Sequence, residues 1–347
     1  MKFLRYLLFP FSILYAGLMS IRNRYYDDGR RPITVFEKAV ISVGNLSTGG
    51  TGKTPLIEYL IRLLKDEYSI ATISRGYGRK TKGVRIASKN DSSRTLGDEP
   101  FQFYRKFGSE IEVVVGEERI MAIPELLIEK PDIQLFLLDD AYQHRKAGRD
   151  IDVLLTDFSK PFFQDYVLPT GNLREKRNEA HRANCIIVTK CPSLSRKEKA
   201  EWKMKIAEYN KDAPVFFSNI SYSDLEPVFN KAECENDIAI IVGIADPEPF
   251  YKNLEKGYNI IEKFEFIDHY NFKSSDLDRI LRKLNNKRIS LVVTEKDMVR
   301  LLEFEDHPIF KKYSLFYQPI MFELDEQEKF DQFIIEGVEK RLRELND

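Results

Sequence analysis

Short apolar, β-branched runs alternate with stretches of helical periodicity from residue 39 onward. Runs at 39–43, 69–74, 111–115, 134–138, 151–156, 185–189 and 215–220 carry few polar interruptions. Strands with one wet face alternate apolar and polar positions, whereas uninterrupted runs predict strands covered on both faces by helices. The expected architecture is therefore α/β, with a mostly parallel sheet that binds ligands at the carboxyl ends of its strands. Residues 221–237 break the rhythm with polar positions, Pro227 and an acidic stretch, and read as a linker or boundary hairpin. A second βα series follows at 238–242, 260–266 and 289–294. Over 326–345, Phe330, Phe333, Ile334, Val338 and Leu342 fall on one side of a helix that can close back onto the first unit. The expected organisation is an N-terminal helix over 1–31, a larger α/β domain over 32–222, a smaller one over 238–320, and a C-terminal helix over 321–347.

The first segment is patterned differently. From Tyr6 to Ile21 it is apolar apart from Ser12 and Ser20, with Lys2, Arg5, Arg22 and Arg24 flanking or entering it. Sixteen residues interrupted by Pro10 fall short of the ~20 that a bilayer span requires. Ala16-Gly17, followed by more apolar sequence, makes a poor signal-peptide cleavage site. Residues 1–31 carry six basic and two acidic side chains, a net of +4. An apolar face with basic flanks suits a helix lying in the interface of an anionic membrane. A helix packed on the protein's own core is the alternative, and the two are compatible if opposite sides do the two jobs.

Composition narrows the partners. The 54 basic and 55 acidic residues nearly cancel, so no global field argues for nucleic acid. Cys185, Cys191 and Cys234 are odd in number and form no CxxC pair, which argues against structural disulfides or zinc and for a reducing compartment.

The chemistry begins after the first apolar run. Ser47, Thr48, Gly49, Gly50, Thr51, Gly52, Lys53 and Thr54 lie between that predicted strand and a helical pattern at 56–64. Strand, glycine-rich turn and helix is the context in which Gly-Lys-Thr means a phosphate cradle. The glycines let backbone N–H groups converge on phosphate oxygens, Lys53 brings a cation and Thr54 a hydroxyl for magnesium, and the helix directs its positive end at the anion. The strict pattern opens on glycine, and Ser47 stands there instead. A nucleoside triphosphate is the expected ligand, on a P-loop NTPase-like sheet.

Several acids could complete such a site. The run 133–140 is an apolar strand ending in Asp139 and Asp140, the usual place for carboxylates that hold magnesium directly or through water. Asp98 and Glu99 precede a helix starting near Pro100: Asp98 is either an N-cap or the acceptor of a hydroxyl proton. Asp268-His269 follows the run at 260–266, in a chain with four histidines, and can orient an imidazole toward a carboxylate across a cleft. Seven basic residues between Arg75 and Arg94, against Asp91 alone, form either a solvated loop or a grip on an acceptor phosphate. In the turn-rich segment 168–175, Arg174 can fork onto phosphate and Glu175 can hold water or metal.

Together these pieces resemble the tetraacyldisaccharide 4′-kinase family of the lipid A pathway. The resemblance rests on Gly44-Asn-Leu-Ser-Thr-Gly-Gly-Thr-Gly-Lys-Thr-Pro55, Ser74-Arg-Gly-Tyr-Gly-Arg79, Gly97-Asp-Glu-Pro100, Asp139-Asp-Ala-Tyr-Gln-His144, the segment 168–175, Phe266-Ile-Asp-His-Tyr270 and Thr294-Glu-Lys-Asp297. These motifs run in order from 44 to 297, and the family's loop generally has a hydroxyl residue where Ser47 stands. The resemblance implies transfer of the ATP γ-phosphate, with magnesium, to the 4′-hydroxyl of an acylated glucosamine disaccharide 1-phosphate. It also implies action at the cytosolic face of the bacterial inner membrane. Asp98 with His269 would then be the base, meeting across two domains only on closure. Glu99, Asp139, Asp140, Thr54 and Glu175 would arrange the metal and its waters, and Lys53 the phosphates. Arg119, Gln143, His144, Arg174 and Glu175 would line the reacting end. The acidic motif usually reads Asp-Asp-Gly-Phe-Gln-His; Ala141 and Tyr142 depart from it, and Ala141 requires a negative φ. Two readings from the residues alone stay open: a membrane-attached nucleotide switch without a small-molecule acceptor, and a soluble P-loop sugar kinase. For a guanine-reading switch, Pro192 of Val188-Thr-Lys-Cys-Pro192 occupies the place of the base-reading carboxylate.

Overall fold

The computed structural model describes residues 5–229, 233–285 and 287–347; Lys2 and the rest of 1–4 lie outside them. Its strands are β1 (Ala39–Asn45), β2 (Ile70–Ser74), β3 (Arg85–Ile86), β4 (Glu112–Val115), β5 (Leu135–Asp139), β6 (Ile151–Asp157), β7 (Cys185–Thr189), β8 (Val215–Tyr222), β9 (Glu226–Pro227), β10 (Asp237–Val242), β11 (Asn259–Glu265), β12 (Ser290–Thr294), β13 (Leu315–Gln318) and β14 (Ile320–Leu324). The larger sheet has the order β14-β8-β7-β6-β1-β5-β2-β4-β3 and the smaller β11-β10-β12-β13-β9. Pairing is parallel except at three edges, where β14 meets β8, β3 meets β4 and β9 meets β13 antiparallel. The apolar runs form the interior strands, and β1, β2, β5 and β7 are buried at every position. Because β1 lies between β5 and β6, the chain leaves it toward one side of the sheet and returns on the other. A crevice opens at such a switch point, beyond the carboxyl end of β1.

Four strands at or next to sheet edges were not expected. β3 and β9 are two residues long, and β13 and β14 are separated only by Pro319. β14 pairs with β8, so the chain re-enters the larger sheet as a strand before the last helix begins. That helix, Gln327–Asn346, buries Phe330, Ile334 and Val338 in the larger core, with Phe333 and Leu342 packed against it. Each fully buried side chain of this kind contributes about 1.5–3 kcal/mol. A Cβ on Gly337 would approach Ile151 Cδ1 to 2.5 Å, so glycine lets the helix lie close to the start of β6.

The N-terminal helix Phe9–Asp27 sits on the protein inside out. Its buried residues are Ser12, Ala16, Asn23 and Tyr26. Leu7 just before it, at 74 % exposed, and Phe11, Ile13, Leu14, Leu18 and Ile21 along it face away from the protein. Polar bonds do the docking: Ser12 Oγ donates to Thr170 Oγ1 at 2.7 Å, Tyr15 to Arg174 O at 3.2 Å, and Arg145 Nη2 pairs with Asp27 at 2.6 Å. One side packs on the protein and the other is exposed. Among the described residues, no helix is long and apolar enough to cross a membrane.

Candidate active site

The glycine-rich turn leaves β1 and ends at Gly52, the N-cap of the helix Lys53–Leu64. Gly49 and Gly52 have φ of +115° and +84°, the region that disfavours a side chain. At Gly49 and Gly50 an added Cβ would meet no protein atom within 4 Å, so open space rather than packing surrounds these glycines. Neighbouring loops brace the turn. Asn45 Nδ2 donates to Thr51 Oγ1 at 2.8 Å, Thr189 Oγ1 to Thr51 O at 2.9 Å, and Lys190 Nζ to Gly50 O at 2.6 Å. Thr48 N donates to Asn172 O at 2.8 Å, and Ser47 bridges to Leu173. Lys190, within the motif considered for base recognition, thus acts as a brace of the loop.

The acid pair forms at the next strand. β5 runs parallel to β1 with Val43 opposite Asp139, which brings that carboxylate to the mouth of the turn. Asp139 accepts from Ser74 Oγ at 3.3 Å, and burial, then the neighbouring Asp140, push its carboxyl up to about 6. Burial acts on Asp140 as well, but Lys53 at 3.6 Å and Arg174 at 3.0 Å prevail and hold it below the ordinary carboxylate range. Gln143 Nε2 donates to Asn45 O at 2.9 Å and its Oε1 accepts from Arg174 at 3.4 Å. Asp140 takes the left-handed φ of +46°, and Ala141 is absent from the positive-φ residues, as its Cβ demands. A Cβ on Gly44 would stand 2.6 Å from Tyr142 Cβ, so the glycine of β1 is what admits this loop. Tyr142 is fully buried, and its hydroxyl donates to Glu179 O at 2.6 Å, so the extra oxygen relative to phenylalanine is satisfied.

Three expected site residues have other duties. Glu175 is fully buried; Arg22 pairs with Oε1 at 3.0 Å, Asn23 donates to the same oxygen at 3.2 Å, and Arg182 takes Oε2 at 2.5 Å. Oε1 is committed to the N-terminal helix and Oε2 to Arg182, so Glu175 is withdrawn as a metal or water ligand. Arg119, expected to line the reacting end, is 4 % exposed and donates to Asp139 O at 3.0 Å and Asp140 O at 3.2 Å, bracing the acid pair from its backbone side. His144 is neutral at pH 7, pushed to about 4 by burial and then Arg119, and its further electrostatic neighbours are Glu118, Lys146 and Arg149 rather than the acid pair. The basic run is also partly committed, with Arg79 on Glu117, Arg85 on Asp91 and Arg94 on Glu303.

The helix Asp98–Phe107 starts on Gly97, whose φ of +95° favours glycine and where a Cβ would press to 3.1 Å on Tyr77 O and 3.2 Å on Gly76. The cap is therefore Gly97, and Asp98 is freed for other contacts. His269 Nδ1 lies 3.5 Å from Asp98 Oδ2, so the pair across the two sheets is assembled in this structure. His269 has a φ of +58°. Lys296 Nζ lies 3.0 Å from His269 Nε2 and 3.2 Å from Glu99, and Arg300 binds Asp98 through Nε at 2.9 Å and Nη2 at 2.6 Å. Against the effect of burial, His269 and Arg300 hold the Asp98 carboxyl below its ordinary range. Lys296 belongs to a motif recognised in the sequence without a role; Arg300, three residues beyond Asp297 on the same helix face, was missed.

A protein-family model described as LpxK: Tetraacyldisaccharide-1-P 4'-kinase matches residues 4–339. This chain belongs to that family. It is 43% identical over 351 residues to the tetraacyldisaccharide 4'-kinase of Flavobacterium johnsoniae, covering 99% of both chains. Its similarity to the enzyme of the same name from Flavobacterium psychrophilum is 45% over 348 residues, 98% of each. Among solved structures, LpxK from Aquifex aeolicus in complex with ATP superposes with a TM-score of 0.76 at 30% identity, over 96% of this chain and 99% of that one. The family's α/β fold, with a large mostly parallel sheet and a second smaller one, is the fold found here.

Magnesium was expected on Thr54, Asp139, Asp140, Glu99 and Glu175. Among the described residues, no group of three or more His, Cys, Asp or Glu could hold a metal ion unaided. The donor set still fits magnesium, which keeps waters and takes one or two carboxylates plus substrate phosphates. A buried Asp139 raised by its acidic neighbour is an environment that a divalent cation relieves.

Proposed function

We propose that this chain transfers the γ-phosphate of ATP to the 4′-hydroxyl of a tetraacyldisaccharide 1-phosphate, giving lipid IVA at the cytosolic face of a bacterial inner membrane. The observation that carries the reading is two built clusters, Lys53 with Asp140 and Asp98 with His269, close enough that Lys53 and Glu99, next to Asp98, both act on Asp139. ATP in the Aquifex aeolicus structure, at 30% identity, supports the choice of donor. The exposed apolar face of the N-terminal helix supports the lipid surface as the place of work.

In this reading the turn from Ser47 to Thr54 cradles the phosphates with its N–H groups, and Lys53 offsets their charge. Magnesium, when bound, would supply charge neutralisation at the phosphates. Thr54, Asp139, Asp140 and Glu99 are the residues that would hold it, directly or through water. Arg174 fixes Asp140 and Gln143 at the mouth of the turn. Asp98 accepts the hydroxyl proton, with His269 beside it to orient and share the charge. Both lobes contribute, so water is kept from competing as acceptor while they are engaged.

The test is transfer from [γ-³²P]ATP to a panel of acylated glucosamine disaccharide 1-phosphates. Labelled product from the wild type, and at least about 10²-fold slower labelling by Lys53→Ala, Asp139→Ala, Asp98→Ala and His269→Ala, is expected. Slow ATP hydrolysis with no labelled lipid would favour a nucleotide switch and sink the proposal.

A further inference from the structure

The guanidinium of Arg300 is held before it meets Asp98. Its side chain is 5% exposed, and Nη1 donates to Gly243 O at 3.1 Å and to Asp297 Oδ1 at 3.0 Å. Asp297, itself fully buried, accepts on Oδ2 from Gly243 N at 3.0 Å and Thr294 Oγ1 at 2.6 Å. The plane of the fork is thus set by β10, β12 and the helix Glu295–Leu301 of the smaller lobe. The remaining two nitrogens, Nε and Nη2, both fall on Asp98 Oδ2. His269 Nδ1 faces that same oxygen, and Arg300 Nη2 lies 3.4 Å from that ring nitrogen. None of these contacts uses Asp98 Oδ1.

We propose that Arg300 is a positioning residue for Asp98. By pinning Oδ2 it fixes the rotation of the carboxylate and leaves Oδ1 as the oxygen that meets the acceptor hydroxyl. Because Arg300 comes from the smaller lobe and Asp98 from the larger, the base is correctly turned only while the lobes are engaged. Arginine suits the task because its planar fork reaches Asp98 and Asp297 together, whereas lysine offers a single point of charge. This inference rests on the reading of Asp98 as the base.

The experiment compares Arg300→Ala, Arg300→Lys, Asp98→Ala and the double variant Asp98→Ala/Arg300→Ala in lipid phosphorylation. Thermal unfolding of each is measured alongside. For Arg300→Ala, kcat is expected to fall about 10²-fold, with KM for ATP and for the disaccharide lipid within about twofold. Guanidinium ion at tens of millimolar should restore at least about tenfold to that variant and nothing to Asp98→Ala. Arg300→Lys should fall between wild type and alanine, and carries the comparison should the alanine protein not fold. The double variant should be no slower than Asp98→Ala alone, since an orienting contact has nothing left to orient. An unchanged kcat in Arg300→Ala, or a loss that guanidinium does not relieve and that adds to the Asp98→Ala loss, overturns the inference. Full activity in Asp98→Ala would instead remove the base reading beneath it, so the two failures are distinguishable.

Discussion

The phosphate turn and the Asp98–His269 pair are built in opposite ways. The turn is eight consecutive residues whose working groups are mainly backbone N–H, set by positive φ at Gly49 and Gly52 and by bonds with the ends of β1 and β7 and with Asn172. The pair is made of side chains from separate segments: Asp98 opens a helix of the larger lobe, and His269, like the Arg300 that holds Asp98 from 202 positions away, belongs to the smaller. A backbone cradle is specified locally and survives changes in how the lobes sit. A side-chain pair across lobes exists only as well as the lobes are placed. Binding of the donor and activation of the acceptor should therefore fail independently.

The largest effects divide along that line. Lys53→Ala and Asp139→Ala should each lower transfer by about 10³-fold or more, because preorganised charge at the phosphates is removed. Asp98→Ala and His269→Ala should lose about 10²- to 10⁴-fold while leaving ATP affinity near wild type, measured by nucleotide titration. Weakened ATP binding in the latter two would break the proposed division.

Glu175→Ala tests the support behind the turn. Removing that carboxylate leaves Arg22 and Arg182 without their shared buried partner, and about 3–5 kcal/mol of stability should be lost in urea unfolding. If Glu175 bound metal instead, the variant would keep its stability and change its magnesium requirement.

The junction of the lobes predicts a pH effect. Lys106 bridges Glu58, on the helix after the turn, and Glu295, on the helix that carries Lys296 and Arg300. Burial, then Glu58, push Glu295 from 4.5 up to about 7, with Lys106 acting in the opposite direction. A raised carboxyl favours the protonated form in the fold, so its stabilisation is full below about pH 4.5 and is lost as pH rises through 7. The loss is on the order of 1–3 kcal/mol, and Glu295→Gln should flatten the pH dependence of unfolding over that window. An unchanged profile would separate this junction from lobe engagement.

The smallest effect concerns the lipid surface. Leu14 and Leu18, 64% and 59% exposed, are replaced by serine together. Partition onto vesicles of anionic lipid should weaken about tenfold, with KM for the lipid rising and that for ATP unmoved. Equal partition would return the helix to a purely structural role.

How much of this was readable from residues follows from range. The interior strands were legible because each is a run of apolar side chains that needs cover on both faces, wherever it lies in the chain. The Asp139–Asp140 pair was legible because it closes such a run. β13 and β14 were not, since Pro319 and alternating burial beside a sheet edge look like loop. Glu175 looked like a ligand beside Arg174, and only the tertiary structure revealed that its partners are Arg22 and Arg182. The same docking showed which side of that helix is wet, which its nearly continuous apolar sequence could not.

What the sequence by itself determined is the turn, the strands around it, the acids at their ends and the family, because these depend on spacing between near neighbours. What only the tertiary structure decided is which charges face each other: Arg300 on Asp98, Arg119 behind the acid pair, Glu175 beneath the helix. Coulomb interactions and hydrogen bonds act over a few ångströms of space and are blind to distance along the chain. Partners from remote segments therefore acquire their roles only when packing brings them together.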